Sequence, residues 1–217
     1  MDPAFNPQND RYICFYNESS EDEDESDLEK DGGGLQNRQN PRGDAPAGKF
    51  VARSKHPASA MFLGAIASTG EVSPPIWFPT GFRLDSEAYI EALRETLIPW
   101  MRRVVSARGN VPYLWQQDSA PAHRAKKTLD FLKEQNIPFW SPLEWPPNSP
   151  DLNPLDYAVW SMVQQGACKD RPPSVAVLKQ RVSAYWKRMD PSEIRAVCRR
   201  FCVRLRMCVV KKGSFFD

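Results

Sequence analysis

Two aspartates stand at the places where a chain of alternating strands and helices usually puts its chemistry. Asp118 closes the apolar run Val111–Gln117, and Asp156 opens the segment that carries Tyr157, Val159, Trp160 and Val163, with 37 residues between the two acids. Both positions are element ends, where an α/β scaffold usually carries its working side chains. His123 follows Asp118 by five residues, and a lone His near a helix start is more often structural than part of a site. Ser119 and Ser161 lack the strained strand-to-helix elbow that makes a serine a nucleophile. Five cysteines, Cys14, Cys168, Cys198, Cys202 and Cys208, are an odd number, and the only histidines, at 56 and 123, are remote from them in sequence. A zinc site needs about four ligands, so these thiols read as buried or half-buried groups in a reducing compartment.

The elements that must position these residues follow from periodicity. Tyr12–Tyr16, Ser59–Ala67, Ile76–Phe78, Leu114–Gln117 and Ile137–Trp140 read as strands, with Gly70 in a tight turn and Pro74 and Pro75 marking an edge or bulge. Ser86 is expected to cap a helix whose buried stripe is Tyr89, Leu93, Leu97 and Trp100. A helix starting at Pro121 is expected to bury Ala125, Leu129 and Leu132. Prolines at 146, 147, 150 and 154 forbid regular helix until Leu155 or Asp156. Two further helices are expected between Pro172 and the C-terminus. One carries Leu178, Val182, Tyr185 and Trp186, and the next carries Ile194, Val197, Phe201 and Leu205.

Taken together, QQDSAPAHRAKKTLDFL and WPPNSPDLNPLDYAVW resemble the catalytic core of the mariner-like DNA transposases. The resemblance runs over roughly residues 1–165. It implies an α/β, ribonuclease-H-like mixed sheet with flanking helices. It also implies that Asp118 and Asp156 are the second and third catalytic acids and metal ligands, with Asp151 belonging to the structural turn. The family's first acid lies on the first strand, just before the segment matching Asp2–Asn6. The expectation is therefore a core at 1–170 with that strand and its acid missing, followed by a basic helical tail at 171–217. A central gap would expose two sheet edges and call for a protein partner or a second copy to complete the fold. The chemistry implied is Mg²⁺-assisted phosphodiester transfer, which needs two ions held by hard carboxylate oxygens. With the bridging acid missing, Mg²⁺ binding is expected to be weak or absent.

Charge is distributed unevenly along the chain. Residues 1–48 hold 12 acids and 4 bases, and residues 171–217 hold 3 acids and 12 bases. The acidic stretch 18–48, rich in Gly, Asn and Pro, has too little apolar surface to offset the cost of ordering and is expected to be a disordered insertion. Arg195, Arg199, Arg200, Arg204 and Arg206 decorate the last helix and are the candidate nucleic-acid contacts, against the plainer reading of a solvated cationic face. No apolar run reaches the roughly 20 residues needed to cross a bilayer, and the expected location is intracellular, nuclear for a DNA-binding role. The leading functional expectation is a transposase-derived, catalytically inactive protein with residual non-specific binding to DNA. A vestigial or protein-interaction domain, and a fragment of an active cut-and-paste transposase, are the alternatives.

Overall fold

The computed structural model describes residues 60–146, 149–170 and 172–212, together with the backbone of residues 11–17. The acidic stretch 18–48 lies outside them. Four strands form one sheet: β1 (Arg11–Asn17), β2 (Phe62–Ala67), β3 (Ile76–Trp77) and β4 (Tyr113–Gln117), in the order β3-β2-β1-β4. Strand β1 runs antiparallel to β2 and parallel to β4. This is the mixed sheet expected of a ribonuclease-H-like fold.

The sheet is small and incomplete, and Arg11–Asn17 lies in it between β2 and β4. The segment can pair on both sides because it contains no proline, so successive residues of RYICFYN turn their N–H and C=O groups alternately to one neighbour and the other. The strand expected at Ile137–Trp140 shrinks in turn to a single parallel bridge, Trp115 with Phe139. Trp115 donates to the Pro138 carbonyl and accepts from Trp140 N–H, whereas Pro138 has no N–H with which to extend the ladder.

Both faces of β2 are covered, and all six of its residues are buried. Leu63, Ala65 and Ala67 face a helical layer made of α1 (Ser86–Ala92), a π-helical stretch at Leu93–Leu97, α2 (Ile98–Ala107) and, after β4, α3 (Pro121–Arg124) and α4 (Lys126–Glu134). The expected stripe Tyr89, Leu93, Leu97 and Trp100 is buried in that layer. The cap of α1 is Asp85 rather than Ser86, since its Oδ1 accepts from the N–H groups of Glu87 and Ala88. The single helix expected from Pro121 is broken at Ala125, whose ψ of 136° is extended, and Thr128 Oγ1 spans the break by donating to the Ala122 carbonyl. The break turns Thr128, Phe131 and Leu132 inward, and leaves Ala125 and Leu129 only half-buried.

On the other face Phe62 and Ile66 meet α5 (Trp160–Ala167), α6 (Val175–Lys187) and α7 (Pro191–Val210). These last two helices, read from sequence as a basic tail, share one core with the sheet and lie in the same compact unit. Trp186 is fully buried there, and its Nε1 donates to the Ser73 carbonyl at 2.7 Å. Its ring lies so close to Gly64 that a Cβ would stand 2.8 Å from Cζ2. Gly64→Ala should therefore cost about 1–3 kcal/mol of stability by overpacking. Urea unfolding would measure it, and a variant as stable as the wild type would show that the ring moves freely aside.

Candidate functional site

Strand β4 ends in Gln116 and Gln117, both buried, and delivers Asp118 to the rim of the sheet. Asp118 Oδ1 accepts from the Ala120 N–H at 2.9 Å and meets His123 Nδ1 at 2.5 Å. An ionised carboxylate only accepts, so His123 must carry its proton on Nδ1 to make this bond. Both contacts fall on one oxygen, which orients the group and leaves Oδ2 for the cleft. The His123 ring has no exposed surface, so it holds Asp118 in place and does not itself reach a ligand. Tyr89 covers the ring at 4.2 Å between centroids, donates its hydroxyl to Gln117 Oε1 at 3.0 Å, and Gln117 Nε2 donates to the His123 carbonyl at 3.0 Å. Burial, and then the nearby Asp118 charge, push the Tyr89 phenol well above its ordinary pKa, so it stays a neutral donor.

Asp156 is positioned by the SPDLNP turn. Pro150–Leu152 forms a 3₁₀ turn, and a π-helical stretch at Leu155–Val159 then runs into α5. The Asn153 carbonyl accepts from the N–H groups of Asp156 and Tyr157, while Asn153 Oδ1 accepts from Leu155 N–H. A π-helical turn of this kind is frequent at functional sites. Gln116 Nε2 donates to the Leu152 carbonyl, tying the end of β4 to the turn. Asp118 and Asp156 thus line one cleft of ≈ 290 Å³ together with Ser119, Ala120, Trp145, Ser149, Pro150 and Asn153. The sequence marks Tyr89 only as part of a buried helical stripe, and nothing in it singles out Gln117 or Trp145. Only Asn153 carried a usable signal, its place within SPDLNP.

The register of β1 against β4 ends at Phe15 beside Gln117, so the next β1 position, level with Asp118, is Tyr16. No residue of Arg11–Asn17 is an acid. Asp118 and Asp156 offer hard oxygens of the kind Mg²⁺ prefers. Among the described residues, however, no group of three or more His, Cys, Asp or Glu could hold a metal ion. Two carboxylates alone do not fit a two-ion centre.

The five candidate arginines of α7 divide by environment. Arg195 Nη1 donates to the Thr69 carbonyl and Arg204 Nη1 to the Asp151 carbonyl, and the Arg204 guanidinium lies 4.4 Å from the centre of the Tyr157 ring. Both are turned into the fold and half-buried, whereas Arg199, Arg200 and Arg206 are exposed. Of the described cysteines, Cys198 is buried and Cys168, Cys202 and Cys208 are half-buried, none of them in a disulfide, and burial pushes the Cys202 thiol up. Among the described residues no helix is long and apolar enough to cross a membrane.

A mixed sheet clothed by helices on both faces, with one acid at a strand end and a second at the start of a helical stretch, has the ribonuclease-H-like fold. No family model matches the chain. It is 30% identical over 82 residues to the Tcb2 transposase of Caenorhabditis briggsae, covering 38% of this chain and 27% of that protein. It is 27% identical over 133 residues to the Tc3 transposase of Caenorhabditis elegans, covering 61% of this chain and 38% of that one. The chain therefore spans well under half the length of these curated relatives. Among solved structures, the Mos1 mariner transposase catalytic domain matches with a TM-score of 0.65 at 21% identity, covering 74% of this chain and 78% of that one. A Mos1 paired-end complex with Mn matches with a TM-score of 0.69 at 17% identity, covering 95% of this chain and 56% of that one. The chain thus has the fold of the Mos1 transposase catalytic domain, and over part of its length its sequence is similar to these transposases.

Because Tyr89, Gln117 and His123 form one buried polar unit behind Asp118, Tyr89→Phe should leave Gln117 Oε1 without its partner and cost about 1–3 kcal/mol. Thermal unfolding would register this as a lower transition temperature, and an unchanged transition would mean that the hydroxyl bond carries no net stability.

Proposed function

We propose that this chain is a transposase-derived nucleic-acid-binding domain that does not itself cut or join DNA. The observation that carries the binding half is the exposed basic face of α7. Arg199, Val203, Arg206 and Val210 recur at three- and four-residue spacing along one side of the helix, with Arg200 beside them and Lys211 and Lys212 exposed just beyond its end. Among the described residues none of Arg199, Arg200 and Arg206 is in an ion pair, so their charge is available to phosphates. A paired-end complex with a transposon end is among the Mos1 structures of the same fold, which supports DNA as the partner class. The inactive half is supported by the position level with Asp118 being Tyr16, in a strand without an acid. In this reading Asp118 and Asp156 are members of a catalytic and metal set that the described residues do not complete.

Phosphate contacts carry no base code, so changing Arg199, Arg200 and Arg206 together to Glu should weaken binding to unrelated duplexes by similar factors. At low salt the loss should be on the order of 10- to 100-fold, with the salt slope shallower by about one unit per lost contact. A fluorescence titration in which the variant and wild type bind alike would remove α7 as the binding surface. For the chemical half, wild type and an Asp118→Ala/Asp156→Ala double variant should give the same background on labelled duplexes bearing candidate terminal repeats, in Mg²⁺ and in Mn²⁺. Nicking by the wild type that disappears in the double variant would replace this reading with that of an active transposase fragment.

A further inference from the structure

The cleft between the two acids contains a group that neither the fold nor the proposed binding helix uses. Asn153 is 2% exposed and lines the cleft, and its Nδ2 is buried with no hydrogen-bond partner. The orientation of the amide is fixed by chemistry: Leu155 N–H must meet an acceptor, so Oδ1 faces the turn and the two N–H bonds of Nδ2 point away from it. A buried donor without a partner costs about 1–3 kcal/mol, a cost that a ligand carrying an acceptor would relieve.

The lining narrows the class of that ligand. Asp118 and Asp156 accept hydrogen bonds and repel negative charge, whereas Asn153 Nδ2 only donates. A bare phosphate would satisfy Asn153 but face two carboxylates. An ammonium or a guanidinium would satisfy the carboxylates but present further donors to Asn153. A planar edge that offers N–H donors beside a carbonyl acceptor satisfies both. Trp145, which lines the same cleft and is stacked on Phe201 from behind at 6.5 Å, supplies an apolar wall for a flat ring.

The geometry points to a pocket for an unpaired guanine base, whose N1–H and N2–H groups meet the carboxylates and whose O6 accepts from Asn153 Nδ2. Adenine offers a single donor group, N6–H2, beside its N1 acceptor, so it can meet Asn153 and one carboxylate but leaves the other unmatched. Base edges of single-stranded nucleic acid are read in this way, by hydrogen bonds to the Watson–Crick edge with a ring packed alongside. The pocket also adjoins the basic helix, because Arg204 of α7 donates to the Asp151 carbonyl in the turn that holds Asn153. The inference rests on the proposed role in nucleic-acid binding and adds a base preference to it.

The test uses single nucleotides in EDTA, so that neither the helix nor a metal ion sets the result. By titration calorimetry or ligand-observed NMR, the full chain should bind GMP about 10-fold or more tightly than AMP. Asn153→Asp keeps an oxygen for Leu155 N–H but replaces the donor with a carboxylate, and should abolish the preference while the far-UV spectrum stays that of the wild type. Asn153→Ser, which keeps a short donor, should retain part of it. Equal binding of GMP and AMP, a preference that survives in Asn153→Asp, or binding that appears only when Mn²⁺ replaces EDTA would each overturn the pocket. Those outcomes would leave duplex binding by α7 standing, and loss of duplex binding in the arginine variant says nothing about a mononucleotide, so the two readings fail separately.

Discussion

Burial of β2 on both faces is the constraint on which the rest of this structure depends. A strand with six buried residues must have apolar partners above and below it, and the chain supplies them from two separate later stretches of sequence. The layer of α1 and α2 comes between β3 and β4, whereas α5, α6 and α7 come after all four strands. The close approach of Trp186 to Gly64 fixes the spacing of the second layer. Since α7 is held in that layer by Ile194, Val197, Cys198 and Phe201, its opposite side is left to solvent. The exposed basic face is thus a consequence of which residues the sheet needed to bury.

The same constraint makes the acid-bearing rim stiff. Gln116 and Gln117 sit in the interior, where a polar side chain is tolerated only if it is bonded. Gln117 satisfies both ends of its amide through Tyr89 and the His123 carbonyl, and Gln116 spends its amide N–H on the Leu152 carbonyl. Those bonds hold the strand end and the SPDLNP turn in register, so that Asp118 and Asp156 share one cleft. Buried atoms that the fold leaves without partners, Gln116 Oε1, His123 Nε2 and Asn153 Nδ2, cluster around this rim. A scaffold built to orient two carboxylates persists here beside a strand that contributes none.

Much of this was legible in the sequence where one local pattern decides the outcome. The stripe Tyr89, Leu93, Leu97 and Trp100 is buried as its spacing requires, and so is Ile194, Val197 and Phe201, because helical periodicity alone states which side is apolar. The placement of Asp118 at a strand end and Asp156 at a helix start followed from where apolar runs stop and prolines cease. The motif pair around them carried the family resemblance without any structure.

What only the tertiary structure decided depends on partners remote in sequence. Which strand would lie beside β4 could not be read from Tyr12–Tyr16 itself, because strand order is set by pairing across about a hundred residues, and that pairing put Tyr16 level with Asp118. The five arginines of α7 look alike in sequence. Arg195 and Arg204 turn inward because the Thr69 and Asp151 carbonyls happen to lie within reach, while Arg199, Arg200 and Arg206 do not. Asp85 displaced Ser86 as a cap, and Ala125 broke a helix its periodicity would have continued, through local geometry that several residue types can satisfy. Sequence determined which residues must be buried and which acids stand at element ends, since both follow from solvation and chain geometry within a few residues. Tertiary contact alone determined what each polar group meets, because a hydrogen-bond partner is chosen by distance in space.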